Sequence, residues 1–134
     1  RDALQRARAD PQVDPKRIAL IGFSQGSVAA FTIGARSSDV KVLGLVGFAA
    51  GRRGGGRLTA AESVDYGKIQ ARVLIQVGGK DTEAPPEASR KVEQALLDAK
   101  KTVKRIVYPE CGHDDLCGDK KYFADLLAFL KDTL

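Results

Sequence analysis

Four short runs rich in Val, Ile and Leu punctuate the chain, at residues 17–23, 40–48, 72–78 and 103–108. Each is near-continuously apolar instead of alternating with polar residues, the pattern of a strand buried on both faces. Such strands need helices above and below, and helical patterns stand between them. Residues 25–36 set Val28, Ala29, Phe31, Thr32 and Ala35 along one side, and residues 86–101 repeat Val92, Ala95, Leu96 and Ala99 at helical spacing. Residues 120–134 turn Phe123, Leu126, Leu127 and Leu130 toward a core, and a partial helix at 2–9 ends before the turn at Val13-Asp14-Pro15. The alternation predicts an α/β fold: a parallel sheet of about four strands with flanking helices in a three-layer sandwich, joined by right-handed crossovers.

The 134 residues suffice for one core, and a single domain spanning 1–134 is expected. Hydrophobic residues at 43% and charged residues at 29% separate the chain from disordered sequences. No apolar run approaches the roughly 20 residues of a membrane span, and the opening RDALQRARADPQ is too charged for a secretory leader. The chain opens on Arg1 and contains no Met, so a trimmed or processed chain is expected and the compartment stays open, the cytoplasm slightly favoured. Net charge is +5 and dispersed except for GRRGGGR at 51–57. A nucleic-acid binder would interleave aromatic residues with such a stripe, and none stands beside it, so a solvated loop is the expectation. That loop opens a long connection, 51–68, with a helical stretch near 59–66, placed by its position after a strand over the ligand-binding edge of the sheet. Arg52, Arg53 and Arg57 could meet an anionic group there.

Directly between the first strand and the helix that follows stands Gly22-Phe23-Ser24-Gln25-Gly26. A serine on so sharp a strand-to-helix turn is held in strained geometry with its hydroxyl at the top of the sheet, and glycines two before and two after remove side chains that would collide. The start of the next helix favours negative charge developing nearby, and the Gln25 N–H is the candidate oxyanion donor. A serine hydroxyl needs a base. His113, the sole histidine, lies in PECGHDD between the last strand and the last helix. The imidazole in turn needs an acid to set its tautomer, and Asp81, in VLIQVGGKDTEAPP, leaves the third strand through a glycine turn. Glu83 is the rival acid; Asp114 and Asp115 stand too near His113 in sequence to reach behind its ring. The order Ser24, Asp81, His113 is the order expected downstream of an elbow serine.

GFSQGS, GGKDTEAPP and CGHDD, taken in this order on strand ends, resemble the α/β-hydrolase fold, and within it the dienelactone-hydrolase-like and small carboxylesterase branch. The resemblance covers nearly the whole chain as the C-terminal half of that fold. It implies hydrolysis of a small-molecule ester or thioester through an acyl-enzyme, without a cofactor, with Ser24 attacking, His113 relaying the proton and Asp81 steadying the imidazolium. Dienelactone hydrolases themselves resemble this pattern with cysteine as nucleophile, which puts a dienelactone substrate in doubt. Only about sixteen residues precede the elbow strand, so the second oxyanion donor and the elbow strand's outer neighbour have no candidate here. A homo-oligomer or a complementing N-terminal half is the expected remedy; a catalytically silent fragment is the alternative. Cys111, His113 and Cys117 form C-x-H-x3-C, which is not a standard zinc spacing, and no metal is expected. A Cys111–Cys117 disulfide would suit an oxidising compartment.

Overall fold

The computed structural model describes residues 2–48, 64–118 and 120–134. The expected basic loop with Arg52, Arg53 and Arg57, the stretch 59–63 and the Cys117 side chain lie outside the described residues. The order of elements is α1 (Asp2–Ala9), β1 (Ile18–Phe23), α2 (Gln25–Gly34), β2 (Val40–Val46), β3 (Arg72–Gly78), α3 (Pro86–Asp98), β4 (Val103–Tyr108) and α4 (Lys120–Thr133), with 3-10 turns at Tyr66–Lys68 and Asp114–Gly118. The strands form one sheet in the order β1-β2-β3-β4, every neighbouring pair parallel.

Burial follows position in the sheet. β2 and β3 lie inside it, and Val42, Leu43, Leu45, Val46, Val73, Leu74, Ile75 and Val77 are fully buried, which is why these runs carry no polar alternation. One face is covered by α1, α2 and α3 through Leu4, Ala30, Phe31, Val92 and Leu96; the other is covered by α4 through Tyr122, Leu126 and Phe129. Three layers result. Phe31 is wedged between Phe48 and Tyr66, ring centroids 5.3 and 5.7 Å away. On the α4 face, the buried Gln76 amide donates to the Tyr108 hydroxyl (2.7 Å) and to the Tyr122 carbonyl (3.1 Å), and the Tyr108 hydroxyl reaches Asp125 (2.9 Å). This polar knot fixes one flank of α4 to β3 and β4.

Two helices are rotated from the faces expected of them. α2 buries Ser27, Ala30, Phe31 and Gly34 and leaves Ala29 exposed. The cause is a close seat on β2: a Cβ at Gly34 would fall 2.1 Å from a Leu43 methyl, so the helix approaches along its smallest residues. α4 buries Tyr122, Leu126 and Phe129, while Phe123 and Leu127 stay about half exposed at 49% and 54%. Its apolar arc is wider than the floor beneath it, because α4 covers only part of the sheet.

The two edges differ. β4 carries Lys104 and Arg105, charges that discourage further strand pairing. β1, Ile-Ala-Leu-Ile-Gly-Phe, carries none, and Ile21 is 44% exposed. At the N-terminus, the Arg8 guanidinium grips both Asp39 carboxylate oxygens at 2.5 and 2.6 Å, tying α1 to the turn before β2. This pairing holds the Asp39 carboxyl below its ordinary value. No helix among the described residues is long and apolar enough to cross a membrane.

Candidate active site

Ser24 sits between β1 and α2 with φ 52° and ψ −116°, a positive φ that is rare for a residue with a side chain. Holding it costs on the order of 1–3 kcal/mol, and the surroundings enforce it. The Ser24 N–H donates to the Val46 carbonyl at 2.8 Å, anchoring the turn to the end of β2. The Ser24 carbonyl accepts from the backbone N–H of Ser27 at 3.1 Å and also from its buried hydroxyl. Ser27 therefore braces the Ser24 turn, a contact that sequence reasoning missed although Ser27 closes the GFSQGS run; a small polar residue at that place is also what a helix start would hold.

The two elbow glycines are unequal. A Cβ on Gly22 would lie 2.1 Å from the Gly26 carbonyl oxygen, so strand and helix could not come this close. A Cβ on Gly26 would meet nothing within 4 Å among the described residues, so the expected clash at the second glycine is absent there. Gln25 is the first residue of α2, and its N–H therefore belongs to the first turn, whose donors have no partner inside the helix.

Asp81 follows the glycine turn after β3 and its side chain is buried. Its Oδ1 accepts from the Glu83 N–H (2.9 Å) and the Ala84 N–H (2.7 Å), which locks the carboxylate plane and turns Oδ2 toward His113 Nδ1 at 2.7 Å. The opposite ring nitrogen, Nε2, lies 2.9 Å from Ser24 Oγ. An ionised carboxylate only accepts, so Nδ1 carries the proton and Nε2 is left to accept from the serine hydroxyl. Three side chains separated by up to 89 residues thus form one hydrogen-bonded line.

Glu83 is not an alternative to Asp81 in that line. Its carboxylate approaches the other ring nitrogen, with Oε2 4.0 Å from Nε2. The imidazole, 9% exposed, is packed by the Phe23 ring, centroids 5.0 Å apart, and rests against Gly47. Gly47 has φ +54°, and a Cβ there would stand 3.0 Å from His113 Cε1. A glycine at the end of β2 is therefore part of the histidine's seat, a role with no local sequence signal. The histidine loop is fixed by Asp115, whose Oδ2 accepts the Gly112 N–H at 2.7 Å, and by the Lys80 N–H donating to the Cys111 carbonyl at 3.0 Å. Among the described residues no group of three or more His, Cys, Asp and Glu is placed to hold a metal.

The profile of the dienelactone hydrolase family matches residues 1–125. The chain belongs to the dienelactone hydrolase family. No curated protein matches its sequence. Among solved structures, a Klebsiella pneumoniae protein assigned as a dienelactone hydrolase is similar with a TM-score of 0.80 at 20% identity, over 97% of this chain and 58% of its own. Esterase PE8 is similar with a TM-score of 0.76 at 22% identity, over 98% of this chain and 57% of its own. The acylaminoacyl peptidase of Pyrococcus horikoshii is similar with a TM-score of 0.79 at 16% identity, over 97% and 26%. The shared feature is the α/β-hydrolase fold, and the chain spans just over half the length of the first two.

Proposed function

We propose that this member of the family carries the acyl-transfer machinery of a serine hydrolase acting on small carboxylic esters or thioesters. The observation that supports it is the continuous line from Ser24 Oγ through His113 to Asp81, with the serine on a strained elbow at a helix start. Ser24 Oγ bonds to the substrate carbonyl carbon while its proton passes to His113 Nε2, and the developing oxyanion takes the Gln25 N–H. As the intermediate collapses, the carbon–oxygen or carbon–sulfur bond breaks and the proton on Nε2 goes to the leaving group. A water, deprotonated by the same nitrogen, then releases the acid and restores Ser24. Asp81 stays ionised throughout and stabilises the imidazolium.

The proposal includes a partner on β1. α4 packs over β2 and β3, so among the described residues β1 is the least covered part of that floor, with Ile21 exposed between the partly buried Ala19 and Phe23, and the exposed Phe123 and Leu127 would form a wall beside it. One helix is about 10 Å across, two strand spacings, so the space fits one added strand on β1 and one amphipathic helix above it. A second copy paired through β1 by a two-fold axis would leave the two α4 helices roughly 19 Å apart, about twice a packed-helix distance, and the valley unfilled. A complementing strand-and-helix segment is therefore the better occupant, and the longer structural relatives contain chain enough to supply one. The same segment would bring the second oxyanion donor.

Turnover of p-nitrophenyl acetate by the chain and by Ser24→Ala, measured beside the mass in solution, tests the proposal. Turnover that falls by about 10³-fold or more in Ser24→Ala is expected. Turnover indifferent to the substitution would overturn the assignment, and full activity from a monodisperse monomer would remove the partner.

A further inference from the structure

The leaving group of any acyl transfer at Ser24 must come within hydrogen-bond reach of His113 Nε2, because that atom both removes the serine proton and delivers it to the departing oxygen. A second carboxylate guards that atom: Glu83 Oε2 stands 4.0 Å from Nε2, on the side of the ring away from Asp81. The side chain is 61% exposed, so it stands at the mouth of the site and not in its floor. Its backbone is not free to drift. The Glu83 N–H is held by Oδ1 of Asp81, so the residue that orients the imidazole also places the neighbouring carboxylate beside it. Among the described residues Glu83 has no Lys or Arg partner; the nearby cations are engaged elsewhere, Lys80 with Glu110 at 2.5 Å and Arg90 with Glu87 at 3.1 Å.

We infer that Glu83 is a specificity-determining residue for the leaving group, favouring esters whose alcohol carries a positive charge a few bonds from the ester oxygen and disfavouring anionic ones. The inference rests on the serine-hydrolase reading and adds the substrate class to it. As the departing oxygen takes its proton from Nε2, a cationic substituent a few bonds along that alcohol comes to lie against the exposed side of the Glu83 carboxylate, where attraction over about 4–5 Å is partly screened by solvent. An anionic substituent meets the same field with the opposite sign. Glu83 also faces the imidazolium itself, but that attraction is common to all substrates and cancels when esters of different charge are compared on one enzyme.

The test uses two isosteric acetates, of 2-(trimethylammonio)ethanol and 3,3-dimethylbutanol, together with the acetate of 2-hydroxyethanesulfonate, on the full chain and on Ser24→Ala, Glu83→Gln and Glu83→Lys. In the unsubstituted chain, kcat/KM for the cationic ester is expected to exceed that for its neutral isostere by about three- to tenfold, with the ratio falling as ionic strength rises. Glu83→Gln brings the ratio toward one and Glu83→Lys inverts it in favour of the sulfonate. Ser24-dependent turnover with no cationic preference, or with a preference unchanged in Glu83→Gln, would overturn the inference and leave the hydrolase reading standing. Absence of Ser24-dependent turnover of all three esters would overturn both.

Discussion

His113 is held by four contacts from three separate segments: Asp81 on Nδ1, Ser24 on Nε2, the neighbouring Phe23 ring against the imidazole and Gly47 against Cε1. The last is the least forgiving. Gly47→Ala would require a residue with a side chain to adopt φ +54°, costing about 1–2 kcal/mol, and would set its Cβ 3.0 Å from the ring carbon. The imidazole must then swing away from Ser24 Oγ. Ester turnover is expected to fall more than about tenfold, since sub-ångström to ångström displacements of a catalytic group carry penalties of that order or larger, while the thermal midpoint drops by only a few degrees. Turnover kinetics beside a melting curve check it, and an unchanged rate would refute the seat assigned to Gly47. The types and order of Ser24, Asp81 and His113 were readable in the chain because each follows a recognisable strand end. Gly47 was not readable, because its requirement comes from a ring 66 positions away.

α1 is a short helix that buries Leu4 as its contribution to the core and otherwise depends on the Arg8–Asp39 pair. Asp39 is held below its ordinary value chiefly by the hydrogen bond from Arg8, against an opposing effect of burial. A carboxyl depressed in the folded state stabilises that state above its unfolded value, about 3.9, and loses the contribution as pH falls through the folded value. Asp39→Asn is therefore expected to be less stable than the unsubstituted chain at neutral pH and to converge with it below about pH 4. Urea unfolding at pH 7 and in acid measures the difference, and a gap that widens in acid would contradict the assignment. The pair is partly exposed, so the effect is small and falls with added salt. Among the larger elements, β2 and β3 match expectation to within two residues at either end, whereas α2 and α4 keep their positions but are rotated about their axes. A helix's apolar residues specify an arc, and the shape of the sheet beneath selects which part of the arc is covered.

Across the whole molecule, the unevenness of the sheet edges is the dominant feature. Among the described residues β4 ends the sheet with charges, while β1 ends it with an uncharged strand on which Ile21 is exposed, and Phe123 and Leu127 of α4 are exposed as well. Ile21→Lys combined with Leu127→Lys places charge on both the floor and wall of that valley at positions already about half exposed, so thermal stability is expected to change by no more than about 1 kcal/mol. Mixed with a longer relative's N-terminal strand-and-helix segment, the unsubstituted chain should gain mass in light scattering and the double variant should stay at monomer mass; equal behaviour of the two would argue against a docking valley. By itself the sequence determined the kinds and order of elements, the parallel sheet, and the residue types of the proposed site, because strand burial and strand-to-helix turns leave local periodicities and local glycine patterns. Only the tertiary structure decided that Asp81 and Glu83, two residues apart, face opposite nitrogens of one imidazole and that Gly47 lies beneath it. Those outcomes depend on strand register and on the path of loops between distant segments, and the free energies that choose them are contacts between residues with no shared local pattern.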